Sequence, residues 1–277
     1  MIDQLKRCIF CRSHDKLTSE HIFGEWTKRY LPKTHNKHDF QDVKVPLPGV
    51  HEYSQKKIRA GDPILSHVRV VCGSCNSGWM SDLQNRAIPV LTPLFEGRFE
   101  NLDVAAQTTL AAWSAMATMT SEFLARDPQK IVVTQAERWW LKDNLTAPSN
   151  WRIWIGRYKR KTWGGQWVRV TLPIRTAEEI QNGEISDLRT PNIQTVTFIV
   201  GELYVTVLSA PQHLHEIVDL WDWRTAARAR NRLQQIWPIM HLSVLGAPPP
   251  ITDDDAESFA TAFKRWNDEI GKKTGAT

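Results

Sequence analysis

All four cysteines of the chain stand in two Cys-x-x-Cys pairs, CIFC (Cys8, Cys11) and CGSC (Cys72, Cys75), with 60 residues between the pairs. Such a pair forms a tight turn that presents two sulfurs to one side, and two turns together supply the four thiolates of a tetrahedral zinc site. A fold that satisfies this must bring residues 8–11 and 72–75 together, whatever the intervening chain does. Loop-closure entropy grows only slowly with length, so a long loop is no obstacle. Zinc can contribute roughly 10 kcal/mol or more to ordering a segment that has little core of its own. The other use of paired cysteines, disulfides, needs an oxidising compartment. The N-terminal stretch MIDQLKRCIFC lacks the apolar centre of a signal peptide, and the chain has no apolar run long enough to span a membrane. The sequence therefore points to the cytoplasm and to metal.

The element pattern predicts an α+β chain in two parts, residues 1–95 and 96–277. The first part reads as short elements and loops: a helix near 22–32 ended by Pro32, a long polar loop or small insertion over 33–63, a strand at HVRVVC (67–72), and a helix starting after Gly78 and interrupted at Pro89. The second part opens with an alanine-rich helix over 101–127, capped by Asp103, and a helix over 134–145 with Thr134 and Glu137 in a capping-box pattern. Four strands follow, at 150–159, 165–173, 193–201 and 203–210, which predicts a mainly antiparallel sheet. Helices over 224–238 and from 253 onward close the chain, joined by GAPPPITDDD, read as a stiff linker.

Net charge is +5, and residues 1–100 carry 15 Lys/Arg against 11 Asp/Glu, so most of the basic excess lies with the cysteines. That agrees with a polyanionic partner. Two further basic features fit phosphate contact or an ordinary solvated surface equally well: the segment 156–169, and the helical-spaced Arg224, Arg228 and Arg232. The 13 tryptophans, several of them adjacent or near-adjacent, read as a tryptophan-rich core, with base stacking or ligand caging by some of them as the second use.

Chemistry-bearing residues sit inside and beside the cysteine bracket. SEHIFGEW (19–26) carries Glu20 and His21; His67 precedes Cys72 by five residues; Asn76 follows Cys75 directly. Phosphodiester hydrolysis needs an activated water and neutralised phosphate charge. A histidine near neutral pKa can take the proton, and the oxygens of a carboxylate and an amide suit a hard cation such as Mg²⁺. The arrangement CIFC, EHI, HVRVVC, CGSCN over about residues 6–86 resembles the HNH endonuclease family, the zinc-bracketed members of the ββα-metal nucleases with a treble-clef-like fold. The resemblance implies structural Zn²⁺ on Cys8, Cys11, Cys72 and Cys75. It implies a catalytic Mg²⁺ or Mn²⁺ on Glu20 and Asn76, and His21 as general base. His67 takes the place of the family's more usual asparagine, either orienting the loop or His21, or standing closer to the chemistry. Gly24 stands where the family often has proline, and Glu20 where aspartate is commoner.

The expected activity is metal-dependent cleavage of DNA, with double-stranded DNA as partner. The 96–277 part is unassigned, with a sensor, a protein partner, DNA binding or an oligomer contact all open. Two rivals stay open as well. One is a non-catalytic zinc-finger module that binds nucleic acid or protein. The other is a restriction or anti-phage effector gated through its C-terminal part.

Overall fold

The computed structural model describes residues 7–31, 38–44 and 53–59 (backbone only), 67–125, 131–159, 167–175, 177–181, 190–214, 231–244, 246 and 248–262. Its spine is a seven-stranded sheet in the order β10 (Gln234–Trp237), β6 (Trp151–Arg157), β9 (Leu203–Ser209), β8 (Ile193–Val200), β7 (Trp167–Leu172), β2 (His38–Lys44), β3 (Tyr53–Arg59), beside a small pair of β5 (Leu102–Asp103) and β11 (Ser243–Val244). The four expected strands are all present: β6 (Trp151–Arg157), β7 (Trp167–Leu172), β8 (Ile193–Val200) and β9 (Leu203–Ser209). β6, β9, β8 and β7 pair antiparallel. The β8–β9 turn uses Gly201 at φ +60, where a Cβ would lie 2.3 Å from the Phe95 carbonyl oxygen, so only glycine fits this approach. Every residue of β7, β8 and β9 is buried, because both faces of the sheet are covered.

One face packs on α2 (Val104–Ser121), whose N-cap Asp103 accepts from the Ala106 N–H at 2.8 Å. On the other face Tyr204, Ile251 and Leu233 pack with Ala256 and Phe259 of α5 (Asp253–Ala260). α3 (Gln135–Asn144) begins with the expected Thr134–Glu137 capping box. A short helix, α4 (Ala177–Gln181), lies between β7 and β8 in the chain.

Several expectations need correction. Residues 33–63 are not simply a loop: β2 (His38–Lys44) and β3 (Tyr53–Arg59) form a hairpin, and β2 pairs parallel to β7. The sheet is thus antiparallel except at that pair. The helix that opens after Cys72 is not broken at Pro89. It runs from the turn Gly73–Cys75 through a π turn at Asn76–Met80, kinked at Gly78, into α1 (Ser81–Phe95), which contains Pro89 and Pro93. Pro89 is exposed, as is Asn85, the residue whose carbonyl a proline at 89 leaves without its helical N–H donor, so the lost bond falls on the solvent side of the helix. Near the C-terminal end, where a helix over 224–238 is expected, Gln234–Trp237 forms β10, paired antiparallel to β6; residues 224–230 of that expectation lie outside the described residues. The GAPPPITDDD stretch is no free linker, since buried Ile251 bridges to Tyr158 and its N–H donates to the Arg157 carbonyl.

The core crosses the 95/96 boundary. One apolar cluster runs from Cys8, Phe10, Ile22 and Phe23 through Phe95 and Trp113 to Phe198 and Ile236. The Phe23 ring lies 5.0 Å from Phe198, 5.4 Å from Trp167 and 5.9 Å from Trp113. Among the described residues no helix is long and apolar enough to cross a membrane.

Candidate functional site

The first Cys-x-x-Cys pair folds as a knuckle. The Arg12 N–H donates to the Cys8 carbonyl at 2.9 Å, and Arg12 takes φ 63 to turn the chain. The knuckle docks on both sides: the Ile9 N–H donates to the Val70 carbonyl at 2.9 Å, and the Gln135 amide donates to the Ile9 carbonyl at 2.9 Å. Cys72 ends β4 (His67–Cys72), and Cys75 lies in the helical turn that follows. The four sulfurs all lie within 4.8 Å of one another, with Cys11 and Cys72 at 3.5 Å. Four sulfurs around zinc at about 2.3 Å are about 3.8 Å apart, so the sequence-predicted ligand set converges to a spacing that can hold one metal ion. Among the described residues it is the sole group of three or more such ligands that does so.

The thiols differ without metal. Burial pushes Cys8 and Cys75 up, and for Cys75 the charge of Cys8 adds to this. Burial also acts to raise Cys72, but hydrogen bonds from Ser74, the Cys75 backbone, Ser13 and Cys11 outweigh it and hold this thiol down at about 6. Cys72 is therefore the most readily ionised of these three, and a bound cation would favour the thiolate form of all.

The strand pair next to the cluster fixes the second group. β1 (Leu17–His21) runs antiparallel to β4 in the register Leu17↔Cys72, Thr18↔Val71, Glu20↔Val68 and His21↔His67. Cys72 thus anchors one end of the ladder, and a histidine pair closes the other. The His21 and His67 Nε2 atoms are 3.0 Å apart, with ring centroids at 4.0 Å. Asn76, one residue past Cys75, reaches back to β1: its amide donates to Thr18 Oγ1 at 3.0 Å and to the Glu20 carboxylate. Glu20 is 8% exposed, and burial pushes its carboxyl up to about 7 against the lowering effect of the Asn76 bond.

Glu20, His21 and Asn76 line one open cleft of about 580 Å³, together with Thr18, Trp26 and Gln84. The cleft's other wall depends on the turn after His21. Gly24 has φ +76 and ψ 146, a conformation close to glycine-only backbone, and buried Ile22 and Phe23 anchor the turn. The Gln84 side-chain oxygen accepts from both Trp26 Nε1 (2.9 Å) and Trp113 Nε1 (3.1 Å), tying the cleft to the core helix α2. The expected helix over 22–32 is a 3-10 helix, Glu25–Tyr30.

The structure therefore brings Glu20, His21 and Asn76 together, with His67 joined to them through His21 and absent from the cleft lining. Thr18 and Gln84 are not singled out by the sequence. No local pattern marks Gln84, whose place is defined by tertiary contact. Thr18 sits two positions before Glu20 on a strand, the one spacing that could have drawn attention to it.

The suspected basic patches fare differently. Residues 160–166 and Arg224 and Arg228 lie outside the described residues. Arg169 is fully buried and paired to Glu122 at 3.1 Å, Arg157 pairs with Glu202 at 3.1 Å, and Arg232 is bonded to Asp255. These three arginines serve the fold. Trp113, Trp151 and Trp167 are core, as expected, whereas Trp139 and Trp140 are 47% and 46% exposed. Compared with protein-family models, curated proteins and solved structures, the chain matches none.

Proposed function

We propose that the chain is a metal-dependent endonuclease of the HNH type, acting on double-stranded DNA. In this reading the knuckle, the β1–β4 pair and the helix from Gly73 form a zinc-clamped ββα-metal module. The seven-stranded sheet and the helix α2 form the scaffold on which it rests. The observation that carries the reading is that Glu20, His21 and Asn76, from two distant strips of sequence, meet in one open cleft beside four converging thiols.

Zn²⁺ is the ion that suits four thiolates in a tight cluster. The second ion would be Mg²⁺ or Mn²⁺. Glu20 and Asn76 offer it a carboxylate and an amide oxygen, and two protein ligands suit a hard cation that keeps most of its waters. When bound there, such a cation supplies charge neutralisation for the phosphate and the leaving oxygen. His21 acts as base. In the tautomer where its Nε2–H donates to His67 Nε2, the basic lone pair of His21 is on Nδ1, and the imidazolium formed by taking a proton from water stays bonded to His67. His67 is thus a positioning residue. The cleft is open, as a polymeric substrate requires.

The test is nicking of plasmid DNA across Mg²⁺ and Mn²⁺ titrations. Wild type is expected to cleave only with cation, and Asn76→Ala to need a higher cation concentration because an oxygen ligand is lost. No cation-dependent cleavage by wild type, or an unchanged cation response in Asn76→Ala, overturns the reading in favour of a non-catalytic zinc-binding module.

A further inference from the structure

The cross-strand pair His21–His67, which positions one imidazole in the proposed reaction, also has the spacing of a metal site. The two residues are direct partners in the β1–β4 register, so their side chains leave the ladder on one face. Their Nε2 atoms lie 3.0 Å apart with ring centroids at 4.0 Å, and His67 is exposed while His21 is half-buried. An ion about 2.1 Å from both nitrogens would see them at an angle of about 90°. That is the angle between neighbouring ligands in octahedral or square-planar coordination. A tetrahedral ion would need the nitrogens about 3.4 Å apart. We infer that His21 and His67 form a two-imidazole site for a borderline transition ion, best matched to Ni²⁺ or Cu²⁺, separate from the thiolate cluster.

Imidazole suits these ions, and they stand at the top of the affinity order for nitrogen ligands. Mg²⁺, which prefers oxygen, gains nothing there. A fixed pair also engages one ion with little loss of strand freedom, because the ladder already sets the spacing. Exposed Glu25 lies near enough to feel the pair: its 2.7 Å bond to Lys28 lowers its carboxyl, and His21 and His67 add to the effect.

Binding has a chemical consequence for the pair. Both Nε2 lone pairs must point at the ion, so each ring carries its proton on Nδ1. That is the tautomer opposite to the one in which His21 serves as base. The site is therefore inhibitory wherever His21 acts as a base. The binding itself does not depend on that activity.

The experiment is a calorimetric Ni²⁺ titration of zinc-loaded wild type, His67→Ala and His21→Ala, with zinc content checked after each run. Wild type is expected to bind one Ni²⁺ with zinc retained. Each variant should bind it roughly 10²-fold more weakly, the gain lost when one of two linked contacts is removed. His67 sits exposed at a strand end, so His67→Ala should keep its fold and its zinc. Equal Ni²⁺ affinity in all three proteins, or Ni²⁺ uptake only at the expense of zinc, overturns the site. Either result would leave the nuclease reading to its own test.

Discussion

The cleft module and the seven-stranded sheet are held together by different physics. Around β1 and β4 the apolar side chains, Phe10, Ile22, Phe23, Val68, Val70 and Val71 among them, belong to the core they share with the sheet, and what is particular to this region is the four thiols within 4.8 Å of one another between the knuckle and the start of the helix. In the sheet every position of three strands is buried, and the buried ions are paired: Glu122 bonds both Arg138 and Arg169 inside the protein. The contrast teaches that the cleft region carries a cluster able to take a metal ion, while the sheet has packing and buried ion pairs alone. A metal clamp can fix the spacing of distant short strips, and the shared core seats those strips on the sheet. Phe23, Gln84 and Gln135 are the bolts between the two.

The largest effect should come from metal removal. Chelation, or Cys72→Ser, is expected to remove a contribution on the order of 10 kcal/mol from the knuckle and the β1–β4 pair. The sheet should remain folded. Hydrogen exchange measured by mass spectrometry checks this: amides of residues 8–31 and 67–76 should lose protection while those of β8 and β9 keep it. Uniform loss across the chain would mean that the two regions are one cooperative unit.

Phe23→Ala probes the joint. It removes a ring packed against Trp113, Trp167 and Phe198, and phenylalanine truncation in a core costs about 3–5 kcal/mol. Because the ring belongs to the cleft module but sits in the sheet's core, thermal unfolding should show both regions destabilised in this variant. A shift confined to the cleft module would show that the coupling runs through Gln84 and Gln135 instead.

Gly24→Ala should have the smallest effect, about 1–3 kcal/mol, from forcing a side chain into a backbone region that glycine alone occupies freely. The added Cβ would also meet the Gln84 side chain at 2.9 Å. The prediction is a modest fall in melting temperature with unchanged zinc content. A loss of zinc would mean that this turn controls the thiolate cluster as well as the cleft.

Much of this was legible in the chain because it is written locally. The cysteine spacing, the Asp103 cap, the Thr134–Glu137 box and the strand-like runs of β6 to β9 each depend on residues within a few positions of one another. What was not legible depends on distant partners. Leu233 and Ile236 are spaced as on a helix, yet pairing with β6 draws Gln234–Trp237 into a strand. The β2–β3 hairpin gains its place from the β7 edge and not from its own polar sequence. Cys72, Cys75 and Asn76 could be read together, but that Asn76 touches Thr18 as well as Glu20 follows from the β1–β4 register.

The most direct measurement is single-turnover cleavage of DNA with Mg²⁺ by wild type and His21→Ala, both at full zinc occupancy. Loss of the base should lower the rate by about 10²–10⁴-fold, with DNA binding and zinc content unchanged. A His21→Ala protein that cuts as fast as wild type would contradict the assignment of the cleft as the nuclease site.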